Sequence, residues 1–260
     1  DNHRILAFDI NNFELISGFK SNIEQNCVTT NNWTLQQDCP PEMRNLPTSI
    51  TFLDEKFFVA YGFQNDIQIF DKHGEFLAKF GNTGTHEGEF NEAFRISAYE
   101  DKLYVADSKN HRIQIFNSNG IFLKQFSTNV DSFSNSTPFD LDIDNNKIFV
   151  ADSTRSSIII FDLDGNLLNE LQINSQIPIS LSGIDIHDEL IFVTDTKNHT
   201  VLILDLDGNM VLKLGKSGNH YGEFITPQNI ISNGKQIFVS DSGNYRIQVF
   251  DLMNLSITSP

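Results

Sequence analysis

Short runs of β-branched and aromatic residues, each cut off by Asp, Asn, Gly or Pro, recur along the chain, and no useful length of it carries a helical period. Aligned on a Val and a Phe eleven residues apart, the chain reads YVADSKNHRIQIF (104–116), FVADSTRSSIIIF (149–161), FVTDTKNHTVLIL (192–204) and FVSDSGNYRIQVF (238–250). A diverged copy is FVAYGFQNDIQIF (58–70), and a partial one, NHRILAF (2–8), opens the chain. Phe70, Phe116, Phe161, Leu204 and Phe250 follow one another at 46, 45, 43 and 46 residues.

Each copy predicts four strands. The first alternates and often follows Pro, as in Pro138–Asp144; the second is short and apolar, as in Lys147–Ala151. An Asp-Ser-x-Asn turn leads to a third, β-branched strand such as Arg112–Phe116, the Asp carboxylate accepting backbone N–H groups. Asp162–Gly165, Asp205–Gly208 and Asn117–Gly120 supply the positive φ of a tight hairpin before a fourth strand such as Ile121–Phe126. Four antiparallel strands every ~45 residues make one propeller blade, whose two faces are buried only by packing blades radially. The predicted fold is therefore all-β: a β-propeller of four-stranded antiparallel blades, one domain over residues 1–260.

The unit V-A-D-S-x-N-H-R-I-Q-x-F, then G-x-F-L, then G-x-F-x-x-P, resembles the NHL repeat family over nearly the whole chain, with residues 103–126 almost without departure. The resemblance implies the fold and leaves the function open. Some NHL-like relatives are metal-dependent lyases with histidines near the central channel, more distant six-bladed propellers are calcium lactonases, and some intracellular NHL proteins bind RNA.

Innermost strands starting near Pro47, Asn91, Pro138, Pro178 and Pro227 number five; second strands, ending at Ala60, Ala106, Ala151, Thr194 and Ser240, number five. With His3–Phe8 the third strands number six, and the fourth strands five, giving 21. Six blades need 24, and the three absent ones are contiguous in a ring closed by an N-terminal strand. The expectation is a six-bladed propeller lacking its first ~25–30 residues. The alternatives are five blades closed by the N-terminal strand, or strands shared between two molecules. Phe8 to Phe70 spans 62 residues, some 17 more than the norm. The excess, near residues 21–45, reads as an inserted loop closed by a Cys27–Cys39 disulfide, with the only Trp, Trp33, inside it.

Composition narrows the function. A formal charge of -16 opposes the phosphate neutralisation on which nucleic-acid binding depends, and disfavours anionic membrane surfaces. No run approaches the length of a spanning helix. The lone cysteine pair and the sequons at Asn32, Asn135, Asn198 and Asn254 point to an oxidising, extracellular or cell-surface location and to glycosylation. Phe outnumbers Tyr 23 to 5, which suits repeated buried rings.

No Gly-x-Ser-x-Gly or His-Glu-x-x-His occurs, and no catalytic residue is assigned. The recurring turn aspartates at 107, 152, 195 and 241 read as structural. So do His3, His111 and His199, which share a position with Asn65, Ser156 and Tyr245. The candidate contact residues lie on the turn-bearing face. They are Tyr61 and Phe63, where sister copies carry Asp and Ser or Thr, with Arg112, Arg155 and Arg246, and with His86 and His220 in glycine-rich connections. Asp140, Asp142 and Asp144 share one strand face; calcium is the cation they would hold if that face lines the channel, and otherwise they are solvated. No other cofactor is implied. The expected role is a protein- or glycan-binding or scaffolding module, self-assembly through an open blade edge included. The alternative is a metal-dependent lyase or lactonase-like enzyme.

Overall fold

The structure, a computed structural model, describes residues 4–8, 15–20, 47–131, 136–173, 175 and 177–255. Among these residues there are 21 strands, in the four classes read from the repeat. The hairpin β1 (Arg4–Phe8) and β2 (Leu15–Lys20) is antiparallel. Two four-stranded sheets follow, β3 (Ser49–Leu53), β4 (Lys56–Tyr61), β5 (Asp66–Asp71), β6 (Phe76–Phe80) and β7 (Ala93–Tyr99), β8 (Lys102–Asp107), β9 (Arg112–Asn117), β10 (Phe122–Ser127). Two more are β11 (Pro138–Asp144), β12 (Lys147–Asp152), β13 (Ser157–Asp162), β14 (Leu167–Gln172) and β15 (Leu181–His187), β16 (Leu190–Asp195), β17 (Thr200–Asp205), β18 (Met210–Leu214). The last sheet has three strands: β19 (Pro227–Ser232), β20 (Gln236–Asp241) and β21 (Arg246–Asp251). The 21–45 segment, with Cys27, Cys39, Asn32 and Trp33, lies outside the described residues, as does Asn135.

The chain forms two compact units. The first comprises residues 1–110 and 114–125. In it β7 packs beside β3 and β4 over a core of Phe58, Ile67, Phe90, Leu103, Val105 and Phe116. The second comprises residues 111–113 and 126–260, and here the first strands β11, β15 and β19 lie side by side. Gly183 of β15 is required by that approach: a Cβ there would stand 2.6 Å from the Asn229 Cα.

In the four-stranded sheets the second and third strands are buried along nearly their whole length, on both faces, whereas in the last sheet β20 and β21 alternate between buried and partly exposed residues. The seven most buried phenylalanines are Phe58, Phe70, Phe90, Phe116, Phe161, Phe192 and Phe224, each worth roughly 1.5–3 kcal/mol of burial. They account for much of the Phe excess.

Candidate functional site

Each second strand ends on a residue that is at most 1% exposed: Tyr61, Asp107, Asp152, Asp195 and Asp241. A buried carboxylate is tolerable only with a full set of donors. Asp107 takes the Asn91 N–H at 2.7 Å, the Asn110 amide at 2.9 Å and the Gln114 amide at 3.0 Å. Asp152 takes the N–H groups of Thr137, Thr154 and Arg155 and the Ser136 hydroxyl. Asp195 takes the Ser180 N–H at 3.0 Å and both the N–H and the side-chain amide of Asn198. Asp241 takes Ile225 N–H at 2.8 Å, the Asn244 and Gln248 amides and Arg246 Nε. Burial pushes the Asp241 carboxyl up, but these donors outweigh it and hold it below the ordinary range. In every case one donor belongs to the chain entering that blade's first strand, so the aspartate pins the blade shut.

Four residues on, the chain turns through the left-handed region at Asn65, His111, Ser156, His199 and Tyr245, with φ of 57°, 54°, 57°, 57° and 55°. Four of these side chains reach the segment that leads into the following blade. Asn65 Oδ1 accepts from Glu92 N–H at 2.7 Å and His199 Nδ1 from Thr226 N–H at 3.0 Å. Ser156 Oγ donates to the Ile179 carbonyl at 2.8 Å, and His111 Nδ1 meets the Ser136 carbonyl. His111 and His199 are therefore bolts between blades, and His3 lies outside the described residues. Tyr245, in the last blade, is 95% exposed.

The residues expected to make contacts divide sharply. Tyr61 is fully buried beside Val59 and Phe70, which corrects its reading as a surface ring: it occupies the aspartate's buried position, not the turn. Phe63 is 55% exposed, its ring centroid 5.1 Å from that of Phe94 in an edge-on arrangement. Arg112 is buried, and Arg155 is held by Glu170 and Asp131 at 2.9 and 3.0 Å. Arg246 donates to Asp241 and to the carbonyls of Asn219, His220 and Glu223. None of the three arginines is a free surface cation. His86 and His220 stand on the glycine connections 81–92 and 215–226, where Glu89 and Glu223 fold back onto their N–H groups. The His86 N–H and then its ring hold the Glu89 carboxyl down to about 2. At the Asn198 sequon the amide nitrogen already donates to the Pro178 carbonyl at 2.9 Å and to Asp195 at 2.6 Å, so a glycan there would displace one bond.

The first strands of the second unit carry two carboxyls raised by burial, Asp142 and Asp185. Asp140 accepts from Ile184 N–H at 3.2 Å and Asp142 from Ile186 N–H at 2.9 Å, and Asp185 accepts from Ser232 N–H at 2.9 Å. Each blade thus caps an amide edge of the next. Burial, and then the charges of Asp142 and Asp140, push Asp185 up to about 7; burial likewise raises Asp142. Asp144 takes its neighbour Asn145's amide at 2.8 Å. Among the described residues no group of three His, Cys, Asp or Glu is disposed to hold a metal ion, so the calcium trio is corrected: two of its members are interstrand acceptors.

The profile of the 6-bladed beta-propeller family matches residues 86–177 and 170–259. The chain belongs to this family. Among solved structures, this propeller is similar to a streptogramin B lyase at 11% identity, with a TM-score of 0.62 over 96% of this chain and 76% of the other. It is similar also to virginiamycin B lyase from Staphylococcus aureus at 15% identity, TM-score 0.56, over 80% and 70%. These likenesses concern the fold. No curated protein matches this propeller in sequence.

Sequence reasoning passed over Asp185, although a signal existed. In strand register Asp185 pairs with Phe192 as Asp142 pairs with Phe149, so one repeat position carries Asp twice.

Proposed function

We propose that this propeller carries NHL-type repeats and works outside the cell as a protein- or glycan-binding or scaffolding module. One observation carries the reading. The carboxylates, histidines and arginines that recur at the turns are engaged in holding blades together, whereas the last blade leaves apolar contact area open. Ile247 is 62% exposed, Tyr221 72% and Tyr245 95%, beside a β21 edge that has no outer partner among the described residues. Such an edge takes a strand by main-chain hydrogen bonding, with alternate side chains supplying specificity. Extracellular residence is supported by the cysteine pair and the sequons.

The test is sedimentation velocity of the purified chain across a concentration series, with and without EDTA. The reading expects a rise in mass that Ile247→Lys removes and EDTA leaves unchanged. A strict monomer that retains stoichiometric metal sinks it. That result would favour the second reading, a lyase or lactonase-like enzyme, which is supported by Asp185: a buried carboxyl titrating near 7 beside two others suits acid–base work.

A further inference from the structure

Blades are joined by connections of unequal length, and the difference leaves a cleft. The connections 81–92 and 215–226 each close over a glutamine on the third strand of the blade they enter. Gln114 takes the Gly88 N–H at 2.9 Å and donates to the Glu89 carbonyl at 2.7 Å; Gln248 does the same with Gly222 and Glu223. The connection between β14 and β15, residues 173–180, is four residues shorter, and the glutamine's position is held by Leu202. Among the described residues no backbone folds over it. What remains is a cavity of about 290 Å³ walled by Ile177, Ile179, Leu202 and Met210, with Asp195 and Lys213 also lining it.

The polar groups on this face are left open as well. Asp195 and Thr200 are cross-strand partners, as are Leu202 and Lys213, so all four share one face of the blade. In sister blades the residues matching Thr200 and Lys213 satisfy each other. Lys79 Nζ meets Asp66 at 3.3 Å, and Ser157 Oγ donates to Glu170 at 2.8 Å. Here Lys213 is exposed and has no ion pair among the described residues, and the Thr200 hydroxyl, 3% exposed, has no hydrogen-bond partner. A buried hydroxyl without a partner is uncommon and costly. The Asp195 oxygens, by contrast, are occupied by Ser180 and Asn198.

We propose that this cleft is a binding site for a small apolar carboxylate. The aliphatic body lies between Ile177, Ile179, Leu202 and Met210, in the space that sister blades fill with their own backbone. The carboxylate meets the Lys213 ammonium at the mouth. An uncharged apolar ligand would leave Lys213 unused, and a cation would be repelled by it. The site is independent of the last-blade surface, so either can fail alone.

Isothermal titration with sodium octanoate tests it, with octan-1-ol as the uncharged probe of the same body. Octanoate is expected to bind saturably at about 1 mM or tighter, and octanol at least about tenfold more weakly. Lys213→Gln, a surface change, should weaken octanoate about tenfold, while Lys79→Gln leaves it unchanged. Leu202→Gln, which restores the sister residue, should abolish it; if that variant does not fold, Lys213→Gln decides. Absence of saturable heat, equal affinity for octanol, or indifference to Lys213→Gln overturns the proposal.

Discussion

In the sheet β11–β14 the third strand β13 has a neighbour on each side, and Ile158 is 0% exposed. In β19–β21 the third strand has β20 alone among the described residues, and Ile247, at the matching repeat position, is 62% exposed. The preceding residues differ in the same sense: Ser156 bonds the connection to the next blade, while Tyr245 points to solvent at 95% exposure. On the other side the two sheets are alike. Asp152 and Asp241 are both fully buried, and each accepts from at least four donors. A repeat position therefore fixes the strand and its turn, whereas the neighbouring blade fixes what the side chain is worth.

Four experiments probe that contrast. Removing the pin should hurt both sheets alike: Asp152→Ala and Asp241→Ala each orphan several buried donors, with an expected loss of about 3–5 kcal/mol by urea unfolding. A much milder Asp241 variant would mean that the last blade is loose throughout. Ile158→Ala empties a packed site and should cost about 3 kcal/mol, against less than about 0.5 kcal/mol for Ile247→Ala. Equal costs would show that β21 is covered in solution.

The third probe concerns how β19 is held. Asp185 caps Ser232 N–H and is raised from 3.8 to about 7, so the folded state binds a proton that the unfolded state releases. Its contribution is fully present below pH 3.8 and is lost as pH rises through about 7. Asp185→Asn should therefore gain on the wild type by roughly 1.4 kcal/mol for each pH unit across that window, read as the difference in unfolding free energy at pH 5 and pH 7. A constant difference would place Asp185 among ordinary carboxyls. The smallest effect is kinetic: amide exchange should be faster along β21 than along β13, and a common rate would deny the open edge.

Blade spacing and strand order were legible because both rest on local rules, alternation and turn chemistry, that recur five times. Burial at the turn was not. The recurring Asp at the end of a second strand reads as structural and is, but its complete burial was hidden because one of its donors comes from a connection some 15 residues upstream; Tyr61 in its place reads as an exposed ring and is buried. Arg155 and Arg246 misled for the same reason. Their partners, Glu170 and the 219–223 carbonyls, are distant in sequence, and no composition argument pairs them. The cleft at Leu202 was visible in principle as a glutamine replaced beside a shortened connection.

The carboxylates of β11 and β15 face one way along the chain, each reaching forward to the amides of the strand that follows. Erosion of the molecule is consequently asymmetric. Shearing off β19–β21 strands an acceptor, Asp185, which water or a proton can satisfy at little expense. Losing β11–β14 instead strips Ile184 and Ile186 of their caps and leaves bare peptide N–H groups. A chain trimmed from its far end should keep its remaining sheets longer than one trimmed from its near end.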